Sequence, residues 1–260
     1  MIEVRAALPL MFAMTGCDLV FGLDDRVVVD ASAADAPDAE APCQRTTGTV
    51  FAISDTTLIP DPMTCDPSIR FGTYPNVNLG QISAGKRSRI LARFSLQPDM
   101  IAGFGGDGFE SATLTIPLKP VECPGVCVSA AISFSVYAAN NDWHEGESSG
   151  NIGTEWCMRK QLSGPGTGVR WIADGADGLG TDRSDVSLAD MTMTPAQAAG
   201  DELVVPISRS PAFADLTRWV DGTQLSILLV PSGAVGTVFT KAKDYVPSGG
   251  MALQVTTCRQ

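Results

Sequence analysis

The chain has 260 residues and a formal net charge of −11 at neutral pH, with 18 basic residues, 29 acidic residues and a single histidine. Nucleic-acid binding needs a clustered positive field, so this acidic balance argues against a nucleic-acid partner. Histidine is the usual proton-transfer group of enzymes, and the one histidine leaves little with which to build an active site. We therefore expect a protein without enzymatic activity.

The N-terminus combines a short apolar run with a cysteine. The mainly apolar run Ala6–Thr15 leads directly into Gly16 and Cys17. A run of about ten residues is too short to span a bilayer and is typical of the central region of a secretory signal. Residues 14–17 (MTGC) resemble the lipobox of bacterial lipoproteins, which implies cleavage before Cys17 and acylation of that residue. We expect residues 1–16 to be a signal peptide and the mature chain to be anchored in a membrane of the bacterial cell envelope.

The segment that follows Cys17 has the composition of a tether. Residues 18–42 contain seven acidic residues and one basic residue, and residues 24–42 are rich in Ala, Asp and Pro without any aromatic residue. Like charges repel one another and little apolar surface can be buried, so the sequence predicts an extended linker over residues 17–42. Residues 43–260 then form one domain, whose 218 residues suffice for a full core.

Six cysteines remain after Cys17, and an even number in an exported chain indicates disulfide bonds. A zinc site is the alternative, but it is disfavoured because only one cysteine pair is close in sequence and His144 is remote from it. Fifteen pairings are open. One pair flanks a Pro-Gly turn and can close a hairpin, another can join the first and last strands, and two cysteines are left over. The expected bonds are Cys123–Cys127, Cys43–Cys258 and Cys65–Cys157.

Most of the domain carries the period-two pattern of β-strands. Three segments alternate apolar and polar residues and predict strands with one buried face: residues 90–96, 112–118 and 130–138. In the first of them, Ile90, Ala92, Phe94 and Leu96 point inward, while Arg89, Arg93 and Ser95 lie on the other face. Residues 225–231 (LSILLVP) are apolar on both faces and predict a central strand. Shorter strands are expected at residues 50–53, 204–207, 235–241 and 251–257.

One helix is predicted between residues 210 and 222. Ser210 can cap it, Pro211 suits its first turn and Gly222 suits its end. Its apolar face would be Phe213, Leu216, Trp219 and Val220. Since the other elements are strands and loops, the predicted fold class is all-β, an antiparallel β-sandwich of jelly-roll type with one or two short helices.

Seven short motifs occur in a fixed order along residues 50–255. They are Asp55-Thr56-Thr57-Leu58; Phe71-Gly72 with Val77-Asn78-Leu79-Gly80; residues 89–96 (RILARFSL); Ser111-Ala112-Thr113-Leu114; Val136-Tyr137 with residues 142–146 (DWHEG); Asp215-Leu216-Thr217 with residues 219–222 (WVDG); and residues 239–244 (FTKAKD). Their order resembles the DNRLRE family, also called disaggregatase-related repeats. The resemblance implies a β-sandwich module of the kind grouped with carbohydrate-binding domains.

Four carboxylates occur in a Gly-rich stretch and are candidate ligands of a structural calcium ion. They belong to Asp174, Asp177, Asp182 and Asp185. Hard oxygen ligands on such a loop suit Ca²⁺, although the spacing differs from that of an EF-hand and Arg183 opposes a cation. No other cofactor is expected.

Basic residues stand out in this acidic chain, and arginine can hold a carboxylate or sulfate with two hydrogen bonds. Lys86, Arg87, Arg89, Lys241 and Lys243 are therefore candidate ligands for an acidic polysaccharide. The alternative is that they are ordinary outward-facing strand cations. The four tryptophans, at positions 143, 156, 171 and 219, are candidates for stacking on sugars, but we expect them to pack in the core.

The expected function is a membrane-anchored, non-catalytic glycan-binding or surface-interaction module. A structural envelope lipoprotein without a sugar ligand is the first alternative, and a polysaccharide-degrading enzyme is the second.

Overall fold

A computed structural model describes residues 43–60, 76–83, 86–104, 108–119, 132–146, 154, 156–161, 168–194, 197, 202–207, 216–232, 237–243 and 249–259. The chain divides into two units, Met1–Ala41 and Pro42–Gln260. The predicted signal peptide, Cys17 and the tether lie outside the described residues. In the described ranges, no helix is both long enough and apolar enough to cross a bilayer.

The described residues form thirteen strands, one short α-helix and one turn of 3₁₀ helix, and all strand ladders between them are antiparallel. The all-β fold class is thereby confirmed. The helix α1 is Pro98–Phe104, and the 3₁₀ helix is Leu216–Trp219. The strands are β1 Gln44–Leu58, β2 Asn76–Ser83, β3 Lys86–Ser95, β4 Phe109–Pro117, β5 Ile132–Ala139, β6 Met158–Gln161, β7 Gly168–Arg170, β8 Ala189–Met193, β9 Glu202–Ile207, β10 Val220–Asp221, β11 Gln224–Ser232, β12 Thr237–Lys241 and β13 Ala252–Arg259.

The long strand β1 belongs to both layers of the sandwich. Its first half, residues 44–51, pairs with β13, and its second half, residues 52–58, pairs with β3. The register shifts between Ala52 and Ser54, and a bulge of this kind bends a strand. The resulting order is β8-β5-β11-β3-β1-β13-β4-β9, with β2 pairing with β3 and β12 pairing with β2. One strand thus connects the two halves of the sheet.

The main core lies between the two layers and confirms the period-two predictions. The inward-facing residues of β3, β4 and β5 are buried, as are those of β9, β11 and β13. They include Ile90, Ala92, Phe94, Ala112, Leu114, Ile116, Ile132, Phe134, Val136, Val205, Ile227, Leu229, Leu253 and Val255. At about 25 cal/mol for each Å² removed from water, this burial is the main source of stability.

A second, smaller core covers the opposite face of β3 and β11. Leu91 and Leu228 are fully buried there and pack with Trp143 and Trp171. The prediction that residues 225–231 form a central strand with two buried faces is confirmed, since β11 lies between β3 and β5. The prediction that β3 has only one buried face is wrong. Trp143, Trp171 and Ala176 cover its other face, which carries Arg89 and Arg93.

The predicted helix at residues 210–222 is replaced in its second half by a hairpin. Leu216 and Trp219 are buried as expected, but they lie in the 3₁₀ turn. Val220 belongs to β10 and pairs with Leu225 of β11. Gly222, which is typical of a helix end, has a φ of +61° and occupies the turn between Asp221 and Gln224. A two-residue hairpin turn requires positive φ at its first position, so the same glycine serves a different structure. Ser210, Pro211 and Phe213 lie outside the described residues.

The predicted Cys43–Cys258 disulfide is confirmed. The two Cα atoms are 5.4 Å apart, and the bond joins the start of β1 to the end of β13. Cys157 is also disulfide-bonded. Its predicted partner, Cys65, and the predicted pair Cys123 and Cys127 lie outside the described residues.

Candidate functional site

Arg89 is bound to the loop of residues 171–185, which lies over β3 and is called the covering loop below. Its side chain is 14% exposed and forms an ion pair with Asp177, with 3.3 Å between Nη2 and Oδ2. Nη1 also donates to the Gly175 carbonyl oxygen at 2.7 Å, and the guanidinium lies 4.9 Å from the centre of the Trp156 ring. Burial lowers the pKa of Arg89, and Asp177 opposes that shift. Arg89 therefore holds the covering loop.

Arg93 holds residues 141–143, the segment after β5, in a similar way. Its guanidinium lies 4.4 Å from the centre of the Trp143 ring and donates to the carbonyl oxygens of Asn141 (2.6 Å) and Trp143 (2.5 Å). Trp143 in turn donates from Nε1 to Ser226 Oγ of β11 at 2.8 Å. Burial lowers the pKa of Arg93, against the effect of the nearby carboxylates of Glu145 and Asp142. Arg93 thus fixes residues 141–143 on the sheet.

Lys243 takes part in a third set of contacts within the domain, with Glu145 and Asp55. Its Nζ lies 3.2 Å from Glu145 Oε1, which also accepts a hydrogen bond from the Asp55 backbone N–H at 3.0 Å. The backbone N–H of Lys243 donates to Oδ2 of the fully buried Asp55 at 2.6 Å. Residues from three distant segments meet here, and all three come from motifs that resemble the DNRLRE family. These motif residues join segments of the fold.

The five predicted basic ligands do not form one groove. Arg89 and Lys243 are engaged in the ion pairs described above. Lys86 and Arg87 are consecutive on β3, so their side chains point to opposite faces of the sheet. Lys241 lies on β12, opposite Asn76 of β2. The prediction of one basic groove is wrong because Arg89 and Lys243 attach neighbouring segments of the domain, and the sequence pattern does not distinguish this role from ligand binding.

The predicted calcium site does not form either. Asp182 is buried, and its carboxylate accepts hydrogen bonds from the backbone N–H groups of Ile172 (3.1 Å), Ala173 (2.9 Å) and Gly178 (3.1 Å). Asp177 is shared by Arg89 and Arg183, at 3.3 and 2.9 Å.

Asp174 lies 4.0 Å from Arg170, and Asp185 is exposed. Within the described part of the chain, no three His, Cys, Asp or Glu side chains are grouped to hold a metal ion. Asp182 is bound by backbone N–H groups, whereas Asp177 and Asp174 lie beside arginines. These three carboxylates therefore already have partners within the domain.

A polar cleft of about 250 Å³ lies where β5 ends and β11 begins. Four short segments line it: residues 140–142 after β5, residues 180–181 of the covering loop, residues 218–219 of the 3₁₀ turn, and Asp221 of β10. Its lining combines side-chain amides, carboxylates, a hydroxyl, a guanidinium and an indole. We take this cleft as the candidate functional site.

Hydrogen bonds between the lining segments hold the cleft in shape. Asn141 donates from Nδ2 to the carbonyl oxygens of Trp219 (2.5 Å) and Gln224 (3.1 Å). Asn140 donates from its backbone N–H to the Asp182 carbonyl oxygen at 2.8 Å and from Nδ2 to the Thr181 carbonyl oxygen at 3.3 Å. Arg93 also holds this segment through its hydrogen bonds to the Asn141 and Trp143 carbonyl oxygens. The lining is therefore organised before any ligand arrives.

Two polar atoms of the lining residues are buried without a hydrogen-bond partner among the described residues: Asn141 Oδ1 and Trp219 Nε1. The orientation of the Asn141 amide is fixed, because both of its Nδ2 contacts are to carbonyl oxygens. A buried unsatisfied polar atom costs about 1–3 kcal/mol. Both atoms belong to residues that line the cleft, but the atoms themselves are closed to solvent.

The charges around the cleft nearly balance. Asp142 lies 3.2 Å from Arg159 and 3.0 Å from Lys160, and the hydrogen bond from Lys160 is the main reason that the pKa of Asp142 is lowered. Arg218 and Asp221 are exposed and have opposite charges. The lining therefore has no cationic excess of its own.

Sequence reasoning missed most of this site. Asp142, Trp219 and Asp221 occur in the motifs, but Asn140 and Thr181 lie in polar segments that carry no periodic signal, and Arg218 lies off the apolar face of the predicted helix. Of the four tryptophans, Trp143, Trp171 and Trp219 are buried and Trp156 is partly buried, which confirms that they pack. The adjacent amides Asn140 and Asn141 directly after a buried strand were the available signal, since loops at strand ends carry many binding sites.

No model of a known protein family matches the chain, and no curated protein is significantly similar to it. Membership of the DNRLRE family stays a prediction that rests on the seven motifs.

Proposed function

We propose that the chain is a lipoprotein of the bacterial cell envelope whose β-sandwich is a non-catalytic glycan-binding module of the DNRLRE type, with the polar cleft as its binding site. The observation that carries the proposal is the composition of the cleft. Amides, carboxylates, hydroxyls and guanidinium groups are donors and acceptors that suit sugar hydroxyls. A concave site with a few fixed polar groups is the usual form of a small-ligand site.

The rigidity of the cleft supports the same proposal. Hydrogen bonds from Asn140 and Asn141 join three of the four lining segments, so binding does not have to order a loop. A site that is already ordered keeps more of its interaction energy as affinity. Modest hydrogen bonds can then suffice to hold a polysaccharide on the domain.

A polysaccharide panel tests this function. The wild-type domain should bind at least one neutral or acidic polysaccharide, and Arg218→Gln combined with Asp221→Asn should weaken binding because both side chains line the cleft. Arg87→Gln is a matched control, since it removes an exposed cation from the sheet without touching the cleft. If no polysaccharide binds at low or high salt, or if the cleft variants bind as the wild type does, the proposal is wrong.

A structural envelope lipoprotein without a sugar ligand is the second candidate. The observation that favours it is that Arg89, Arg93 and Lys243 are engaged in contacts within the domain. This candidate predicts that the whole polysaccharide panel is negative while a partner protein of the envelope co-purifies with the intact chain.

The lipid anchor is tested separately. Cys17→Ala, expressed in a bacterial host, should release the protein from the membrane fraction or leave its signal peptide uncleaved. Cys43→Ala is the matched cysteine control and should leave membrane association unchanged. Processed, membrane-bound Cys17→Ala protein would show that Cys17 is not the anchor.

A further inference from the structure

We infer that the polar cleft binds a single neutral sugar ring and not a stretch of acidic polysaccharide. This inference rests on the proposed function and names the ligand class of that same site. Two observations carry it: the charge balance of the cleft and its volume.

The charges argue for a neutral ligand. Asp142 and Asp221 line the cleft with one guanidinium, that of Arg218. Arg159 and Lys160, the two other nearby cations, are both ion-paired with Asp142. A uronate or sulfate would therefore meet a carboxylate for nearly every cation, whereas a neutral ring meets hydrogen-bonding groups and no repulsion. The absence of a cationic excess in the lining makes an acidic polymer a poor fit.

The volume argues for one ring. At about 250 Å³ the cleft is smaller than the sites that hold drug-sized molecules, which occupy about 300–1,000 Å³. One sugar ring with its hydroxyls fills a space of this size, and the neighbouring rings of a polysaccharide remain outside. A methyl glycoside should therefore make nearly all the contacts that a longer chain makes.

The test uses calorimetry on the whole mature domain with methyl glycosides of glucose, galactose and mannose and of glucuronic and galacturonic acid. At least one neutral methyl glycoside should bind within about threefold of its own tri- and tetrasaccharides, because remote rings add little. Its affinity should change by less than about twofold between roughly 0.01 and 1 M salt, over which the Debye length falls from about 30 to about 3 Å. Asp221→Asn and Arg218→Gln should each lower that affinity by about tenfold, and Arg87→Gln should not change it.

Two results would overturn the inference while leaving the proposed function intact. One is that oligosaccharides bind at least about tenfold more tightly than every methyl glycoside, which would show an extended site. The other is that uronates bind best and lose affinity as salt rises, which would show recognition of charge. If no glycan of any length binds, the proposed function itself is wrong and the inference is wrong with it.

Discussion

Replacing Arg93 by methionine should detach the segment that forms one wall of the cleft. Methionine keeps an unbranched apolar stem of similar length but removes the guanidinium. The variant loses the hydrogen bonds to the Asn141 and Trp143 carbonyl oxygens and the contact with the Trp143 ring. Both carbonyl groups are then left next to an apolar side chain.

The expected loss of stability is about 2–4 kcal/mol. A hydrogen bond from a charged donor contributes about 1.5–3 kcal/mol, and a cation–π contact contributes about 0.5–2 kcal/mol. Roughly half of that total is offset, because the half-buried guanidinium no longer has to be removed from water. A loss of this size is a large part of the 5–15 kcal/mol or so that stabilises a typical domain.

Urea unfolding of three variants measures this loss. Arg93→Met should lower the free energy of unfolding by the amount given above. Arg93→Lys should have a smaller effect, since it keeps the charge but not the planar guanidinium that lies over the Trp143 ring. Arg87→Met, an exposed arginine on the same face of β3, should stay within about 0.5 kcal/mol of the wild type. If Arg93→Met also stays within that limit, the structural role assigned to Arg93 is refuted.

Three further predictions follow from named contacts. Replacing both Cys43 and Cys258 by serine should cost up to about 5 kcal/mol in urea unfolding, because the bond closes a loop with a sequence separation of 215, and a loss under about 1 kcal/mol would contradict this. Asp182→Asn should destabilise the covering loop by about 2–4 kcal/mol, because an amide cannot accept all three backbone hydrogen bonds. Hydrogen exchange at the Gly178 amide should accelerate, and an unchanged rate would argue against that role. The pKa of Asp142 is lowered from 3.8, so its ion pairs stabilise the fold above the unfolded-state pKa and are lost as the pH falls through the lower, folded-state value. The stability of Asp142→Asn should fall less steeply than that of the wild type below about pH 4, and parallel curves would contradict the assignment.

The strands could be predicted from sequence because alternation directly reports a buried face. Ile90, Ala92 and Phe94 are spaced by two and are all buried, as that pattern requires. The pattern does not report what covers the other face. Arg93 meets the carbonyl oxygen of Trp143, which is 50 residues away, and Arg89 meets Asp177, which is 88 residues away. Contacts at such separations depend on topology, which alternation does not encode.

The predicted sites failed for a related reason. Arginines and aspartates that could bind a polymer or a metal are the same residue types that pair with each other when loops fold over a sheet. Arg89 and Asp177 were assigned to two different ligands, yet they are partners. The residues of the cleft could not be predicted, because Asn140 and Thr181 have ordinary loop composition. They are 41 residues apart in sequence and are brought together by the fold, where a hydrogen bond joins them.

The position of the Cys43–Cys258 bond determines how the domain responds to mechanical force. Tension that enters the domain at residue 43 acts on the end of the β1–β13 ladder, where Gln44 pairs with Arg259. Without a covalent link, such a pull would break the hydrogen bonds between β1 and β13 one pair after another, starting from that end. The disulfide passes the load to both strands at once, so β1 cannot peel away from β13. A domain pulled from its N-terminal side should therefore resist extension until the two strands move together against β3 and β4, their other neighbours in the sheet.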